Sequence, residues 1–121
     1  MFDQRSKRIF EVPKCFCKNI TMFKTLEELI KTIRSRKNST EEKSYTNKLL
    51  NNKKLSKEKV EEEVQELIEA IQENTNEIHE AADLLYHFLV LLEANDIKIE
   101  DVMRELKKRQ HKSGLEEKAS R

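Results

Sequence analysis

The chain has 121 residues, enough for one domain with a modest core. Its 24 Lys and Arg nearly balance 23 Asp and Glu, so nothing in the charge points to nucleic acid or to a membrane surface as a partner. One Gly and one Pro, beside abundant Leu, Ile, Glu and Lys, indicate an all-helical protein. No apolar run approaches the ~20 residues of a membrane span, and the start MFDQRSKRIF lacks the apolar stretch of a signal peptide. A soluble, cytoplasmic protein is expected.

In chain order, residues 1–22 show no helical period and read as an N-terminal extension, linker-like or partly disordered. Cys15 and Cys17 form a lone CxC without a second Cys or His cluster, and are expected as free thiols in a reducing cytosol. The folded domain is expected over residues 23–112. Phe23, Leu26, Leu29, Ile30 and Ile33 recur at helical spacing, with Thr25 as N-cap and Glu28 completing a capping box. Lys37–Lys43 is a polar linker. Ser44-Tyr45-Thr46 then leads into a short helix through Leu49 and Leu50. Asn51–Lys54 reads as a loop, and Ser56 as the N-cap of the next helix.

The centre of the chain, Lys59–Leu92, reads as two helices joined by a polar turn around Asn74–Asn76. The first carries an apolar stripe of Val60, Val64, Leu67, Ile68 and Ile71, spanning about one third of the circumference at ~100° per residue. Glu63 and Glu66 sit at its edge with Lys59 and Ala70. Glu62 is intermediate, and most other acidic residues lie on the far side. The second helix is apolar nearly all round, which places it in a core or a subunit interface. Glu80, Asp83 and His87 share one narrow strip of it.

A lone ionised carboxylate is costly to bury, so such groups are paired, protonated or metal-bound. Helices joined by a short turn pack antiparallel, which makes the two acidic pairs neighbours. Four facing carboxylates repel unless cations lie between them, and an all-oxygen ligand set suits Mg2+ or Mn2+. Lys59 has two readings: a phosphate contact, or a surface partner of Glu63 one turn on. His87 reads as a core histidine bonded to a neighbour, whereas His79 and His111 read as surface residues. A last helix runs from about Ile99 to Arg109, with Val102, Met103 and Leu106 inward; its basic end reads first as complementing the helix dipole and, as the alternative, as a phosphate-facing lip. The polar tail, residues 113–121, orders only against the body or a ligand.

ExxE followed after a short gap by ExxD, here Glu63-Val-Gln-Glu66 and Glu80-Ala-Ala-Asp83, resembles the MazG-like all-α nucleoside triphosphate pyrophosphohydrolases. SYTNKLL (Ser44–Leu50), KVEEEVQE (Lys59–Glu66), EAADLLYHFLVLL (Glu80–Leu92) and SGLEEKASR (Ser113–Arg121) are similar to the phosphoribosyl-ATP pyrophosphatase branch of that superfamily. The family often has Gly where this chain has Glu61, a change a helix tolerates. The first 22 residues fall outside the pattern. KCFCK resembles the end of the phosphoribosyl-AMP cyclohydrolase domain that precedes this one in many bacteria, but the chain is too short to hold that domain.

The resemblance implies a bundle of four to five helices, completed by dimerisation. It implies Mg2+-dependent hydrolysis of phosphoribosyl-ATP to phosphoribosyl-AMP and pyrophosphate, in histidine biosynthesis. Glu63, Glu66, Glu80 and Asp83 are expected as metal ligands, and one of them, or Glu62, as acceptor of the water's proton. Ser44, Thr46, Lys48, Lys59 and Arg109 are expected on the substrate side, with the tail closing over the site and His87 behind the ligands. A homodimer with Leu85, Leu89 or Leu92 near the interface is expected, and association with a separate cyclohydrolase chain is open. Two rivals remain: a housekeeping MazG-like enzyme acting on simpler triphosphates, and a helical interaction module with no chemistry.

Overall fold

The computed structural model describes residues 22–38 and 44–110. The expectations for Cys15, Cys17, His111 and the tail over 113–121 lie outside the described residues. Among those described there are five helices and no strand: α1 (Lys24–Lys37), α2 (Tyr45–Leu50), α3 (Lys53–Glu73), α4 (Glu77–Ala94) and α5 (Ile99–Arg109). The all-α architecture predicted from the scarcity of Gly and Pro is therefore observed. The chain divides into two units, residues 1–32 and 33–121. The described part of the first, residues 22–32, is mainly the opening of α1. The packing and the site described below belong to the second unit.

Two helix ends are built in the same way without glycine. Asn74 and Asp96 take left-handed backbone, at φ 56° and 58°. Beyond α3, Thr75 N–H donates to Ala70 O and Asn74 N–H to Ile71 O; beyond α4, Ile97 N–H donates to Leu92 O and Asp96 N–H to Glu93 O. This is the Schellman pattern, and Asn and Asp are the side chains that tolerate its left-handed position best after Gly. The result is a tight hairpin in which α3 and α4 form the largest packed pair of the fold.

Two expected caps differ. Thr25 lies inside α1, which begins at Lys24. The N-cap of α3 is Asn52, whose Oδ1 accepts from Leu55 N–H, and the helix starts at Lys53, within the stretch expected as a loop. Ser56 is one turn inside and 1% exposed, and its hydroxyl donates to Leu49 O at 2.6 Å. That bond and the burial of Leu49 and Leu50 tie α2 to α3. At α2 the cap is Ser44, whose Oγ accepts from Asn47 N–H at 3.2 Å.

The core is small. Leu49, Leu50, Ala70, Leu89, Val90, Ala94 and Ile33 are its buried apolar members. On α3 the buried positions are Ser56, Glu63 and Ala70, seven residues apart. The expected inward stripe of α3 is covered only in part: Val60 and Leu67 are half-buried, whereas Val64, Ile68 and Ile71 are exposed. Since α4 packs on the Glu63–Ala70 line, those three have no cover among the described residues. On α5, Met103 and Leu106 are likewise exposed and Val102 is half-buried, against the expectation that all three point inward. Leu89, expected at an interface, belongs to the core of the single chain, whereas Leu85 is exposed.

The last turn of α1 is fastened by charge. Arg34 forks onto Glu100 through Nη1 and Nη2, at 2.9 and 2.6 Å, and reaches Glu93 Oε2 at 3.4 Å through Nε. Lys37 Nζ lies 2.6 Å from Asp96 and donates to Glu93 O at 3.2 Å. The Arg34 guanidinium holds the Glu100 carboxyl down at about 2.

Candidate active site

The acidic residues gather on the facing lines of α3 and α4. Glu62, Glu63 and Glu66 form one group, and His79, Glu80 and Asp83 another; in each, one ligand atom per residue lies within 4.8 Å of the others. Glu63 is the buried member, at 8% exposure. Burial raises its pKa first, and the charges of Glu66, Asp83 and Glu80 raise it further. Glu66 is also raised, by desolvation first and then by the charges of Glu80 and Glu62. The two acidic pairs thus feel each other across the hairpin, as the spacing of the sequence predicts.

Two oxygens in this group, Glu63 Oε2 and Glu80 Oε2, are buried and have no hydrogen-bond partner. Buried polar atoms are normally satisfied, so unpaired anionic oxygens among like charges ask for a cation. Hard oxygen donors on two facing helices fit a divalent ion of the Mg2+ or Mn2+ type. An open acidic hollow of about 210 Å³ adjoins them, lined by Glu66, Glu69, Ala70, Glu73, Thr75, Asn76 and Glu80. Glu69 and Glu73 were not singled out in the sequence, because their spacing is that of any solvated helix face.

Lys59 bonds Glu62 at 2.8 Å, at i+3, and not Glu63 at i+4. The ammonium keeps the Glu62 carboxyl low. Burial lowers His87, whose Nε2 lies 3.8 Å from Glu63 Oε1 and whose Nδ1 is buried without a partner. His87 is thus buried behind the carboxylates, as a core histidine, but the bonded neighbour expected for it is not seen: Nδ1 has no partner and Nε2 is beyond hydrogen-bond distance of Glu63. His79 is an exposed residue, as expected, and approaches Asp83 at 3.3 Å.

The first turn of α2 borders the group. Tyr45 stands edge-to-face with His87 at 6.0 Å, and its phenol is raised by burial and perturbed by Lys59, Glu63 and Glu62. The Thr46 hydroxyl bonds the Tyr86 hydroxyl of α4. Ser44 is occupied as the cap of α2, Lys48 is exposed, and Arg109 pairs with Glu105 at 3.0 Å on its own helix. Tyr86 was missed in the sequence, although it lies three residues beyond Asp83 and so one turn along the same face.

An all-α hairpin with carboxylate pairs facing across it is the arrangement that the resemblance to the helical pyrophosphohydrolases implies. Residues 26–110 match the family described as phosphoribosyl-ATP pyrophosphohydrolase. The chain is 46% identical over 99 residues to the phosphoribosyl-ATP pyrophosphatase of Paracoccus denitrificans, covering 79% of this chain and 92% of that protein. It is 48% identical over 100 residues to phosphoribosyl-ATP pyrophosphatase 1 of Bradyrhizobium diazoefficiens, covering 80% and 94%. Against the Rhodopirellula baltica phosphoribosyl-ATP pyrophosphatase the identity is 42% over 102 residues, covering 79% and 85%. No solved structure matches the chain. The chain belongs to the phosphoribosyl-ATP pyrophosphohydrolase family.

Proposed function

We propose that this chain hydrolyses phosphoribosyl-ATP to phosphoribosyl-AMP and pyrophosphate, the second step of L-histidine biosynthesis, with Mg2+ as the natural ion and Mn2+ as a substitute. The observation that carries the metal requirement is the pair of buried, unpartnered oxygens, Glu63 Oε2 and Glu80 Oε2, within a group of like charges. Family membership carries the substrate. Glu63, Glu66, Glu80 and Asp83 hold the ion. When bound, it supplies charge neutralisation on the triphosphate and a lowered pKa for a coordinated water.

The chain's own residues do the rest. Glu62 has its charge balanced by Lys59, so it is spared ligand duty and orients the attacking water. Lys59 stands at the mouth of the group, where an incoming phosphate competes with Glu62 for its ammonium. His87 and the two tyrosines wall the inner side and keep bulk water from Glu63. The enzyme works in the cytoplasm, and no helix among the described residues is long and apolar enough to cross a membrane. It works as a homodimer.

The test is pyrophosphate release from phosphoribosyl-ATP, with and without Mg2+, beside a panel of ordinary and deoxynucleoside triphosphates. Selective, metal-dependent turnover supports the assignment. Turnover of the simple triphosphates alone moves the chain to the housekeeping branch. Absence of any turnover by a folded, Mg2+-supplied sample leaves the interaction module.

A further inference from the structure

We propose that Tyr86 is a positioning residue for this reaction: its hydroxyl orients the Thr46 hydroxyl as a hydrogen-bond donor to the substrate. The inference rests on the phosphoribosyl-ATP assignment above. Tyr86 is on α4, between the acidic pair and the core. Its ring meets that of His87 at 5.0 Å and 75°. Tyr45 meets the same imidazole at 6.0 Å and 89°. Two phenol rings therefore bracket the histidine that faces Glu63.

Across this bracket, the Thr46 and Tyr86 hydroxyls bond each other over 40 residues of sequence. The far end of α2 is already secured by buried Leu49 and Leu50 and by the Ser56 bond to Leu49 O. The Thr46–Tyr86 bond acts at the other end, in the first turn, where the neighbouring Tyr45 feels Lys59, Glu62 and Glu63. Its place is the rim of the acidic group and not the core.

The direction of the bond decides its use. A phenol is more acidic than an aliphatic hydroxyl and is the better donor, so Tyr86 donates and Thr46 Oγ1 accepts. The Thr46 proton is then left to point elsewhere. Phosphate and ribose oxygens are acceptors, and the carboxylates around them cannot donate. A threonine hydroxyl fixed with its proton outward supplies a donor at the edge of an otherwise accepting site. Without the tyrosine hydroxyl, Thr46 rotates freely and is as ready to accept as to donate.

The experiment is steady-state kinetics on phosphoribosyl-ATP at saturating Mg2+, for the full chain and for Tyr86→Phe, Thr46→Val and the double variant. Thr46→Val is expected to raise KM by about tenfold, the size of one hydrogen bond to a charged acceptor, and Tyr86→Phe by a smaller factor because the donor stays but is no longer held, with kcat moving much less in both. The double variant is expected to match Thr46→Val, because Tyr86 acts only through the Thr46 hydroxyl. The Mg2+ concentration for half activation stays at the wild-type value. An unchanged KM in either single variant overturns the proposal, even where thermal stability falls, since a merely structural bond predicts that outcome. Single effects that multiply in the double variant overturn it as well. Wild-type protein inactive on phosphoribosyl-ATP removes the assignment and the inference together; active wild type with unaltered variants removes the inference alone.

Discussion

Glu63 carries opposed demands in one side chain. It is buried, its Oε2 has no partner, and four other carboxylates raise its pKa beyond the effect of burial. Such a residue costs stability wherever no cation or donor meets its charge. Replacing it with Gln leaves the shape and removes the charge. We expect Glu63→Gln to lower turnover by on the order of 100-fold or more, since even residues behind metal ligands cost 10–100-fold. The metal-free variant should melt no lower than wild type, and a Tm well below wild type would show a structural role instead. A second measurement isolates the ion. Ligand at 100 times its Kd stabilises a folded state by about 2.7 kcal/mol, so Mg2+ should raise the wild-type Tm visibly and that of the variant much less. Equal shifts would place the ion elsewhere. That the two acidic pairs face each other was legible in their spacing and the short turn between the helices; the burial of Glu63 was not, because the apolar stripe marked Val64 and Ile68 as the inward line. The partner of Lys59 was not, because i+3 and i+4 are equally near to a long side chain. The Thr46–Tyr86 bond was hidden by its separation of 40 residues, which no helical period reports.

At the scale of the element, the helices are set by caps and cross-links more than by their own length. α2 has six residues, too few to persist alone. The buried Ser56 hydroxyl holds its end through Leu49 O, which also accepts from Asn52 N–H. Removing one of two donors leaves the carbonyl partly satisfied, so Ser56→Ala is expected to cost about 1 kcal/mol in denaturant unfolding. A loss near zero would show that the bond adds nothing. Both Asn52 and Ser56 are good capping residues, and sequence alone offers no ground for preferring the first; the choice is made by the burial that draws Ser56 against α2. The Arg34–Glu100 fork predicts a pH effect. Glu100 is held at about 2, below its ordinary 4.5. A depressed carboxylate adds stability that is complete above the unfolded value and is lost as pH falls towards the folded one. Wild-type Tm should therefore drop between roughly pH 4.5 and 2 more steeply than that of Glu100→Gln. Parallel curves would mean that the exposed pair is screened to nothing, the usual fate of isolated surface ion pairs.

The whole molecule is left with more apolar surface than its core explains. Val64, Ile68 and Ile71 on α3, and Ile78, Leu85 and Phe88 on α4, are all exposed, between 39% and 87%. Each set recurs at helical spacing, so each is a face and not a scatter. The sequence showed the stripe of α3 and the apolar girth of α4 but not their orientation. A stripe predicts that something covers it, and an inward core is the simplest cover until packing assigns the Glu63–Ala70 line to that place. A second copy of the chain is the cover that needs no other component, with Leu85 rather than Leu89 at the contact. Burying a full Leu, Ile or Phe side chain is worth about 1.5–3 kcal/mol, so several half-open ones together can hold a dimer at micromolar concentration. A charge set in their midst would have to be desolvated without a partner. Sedimentation of the wild type should therefore give a dimer, and Ile68→Lys should give a folded monomer with helical content unchanged. A wild-type monomer at that concentration would show that this face is left for a different protein, and would separate the assembly from the chemistry, since the carboxylates of both acidic pairs come from one chain.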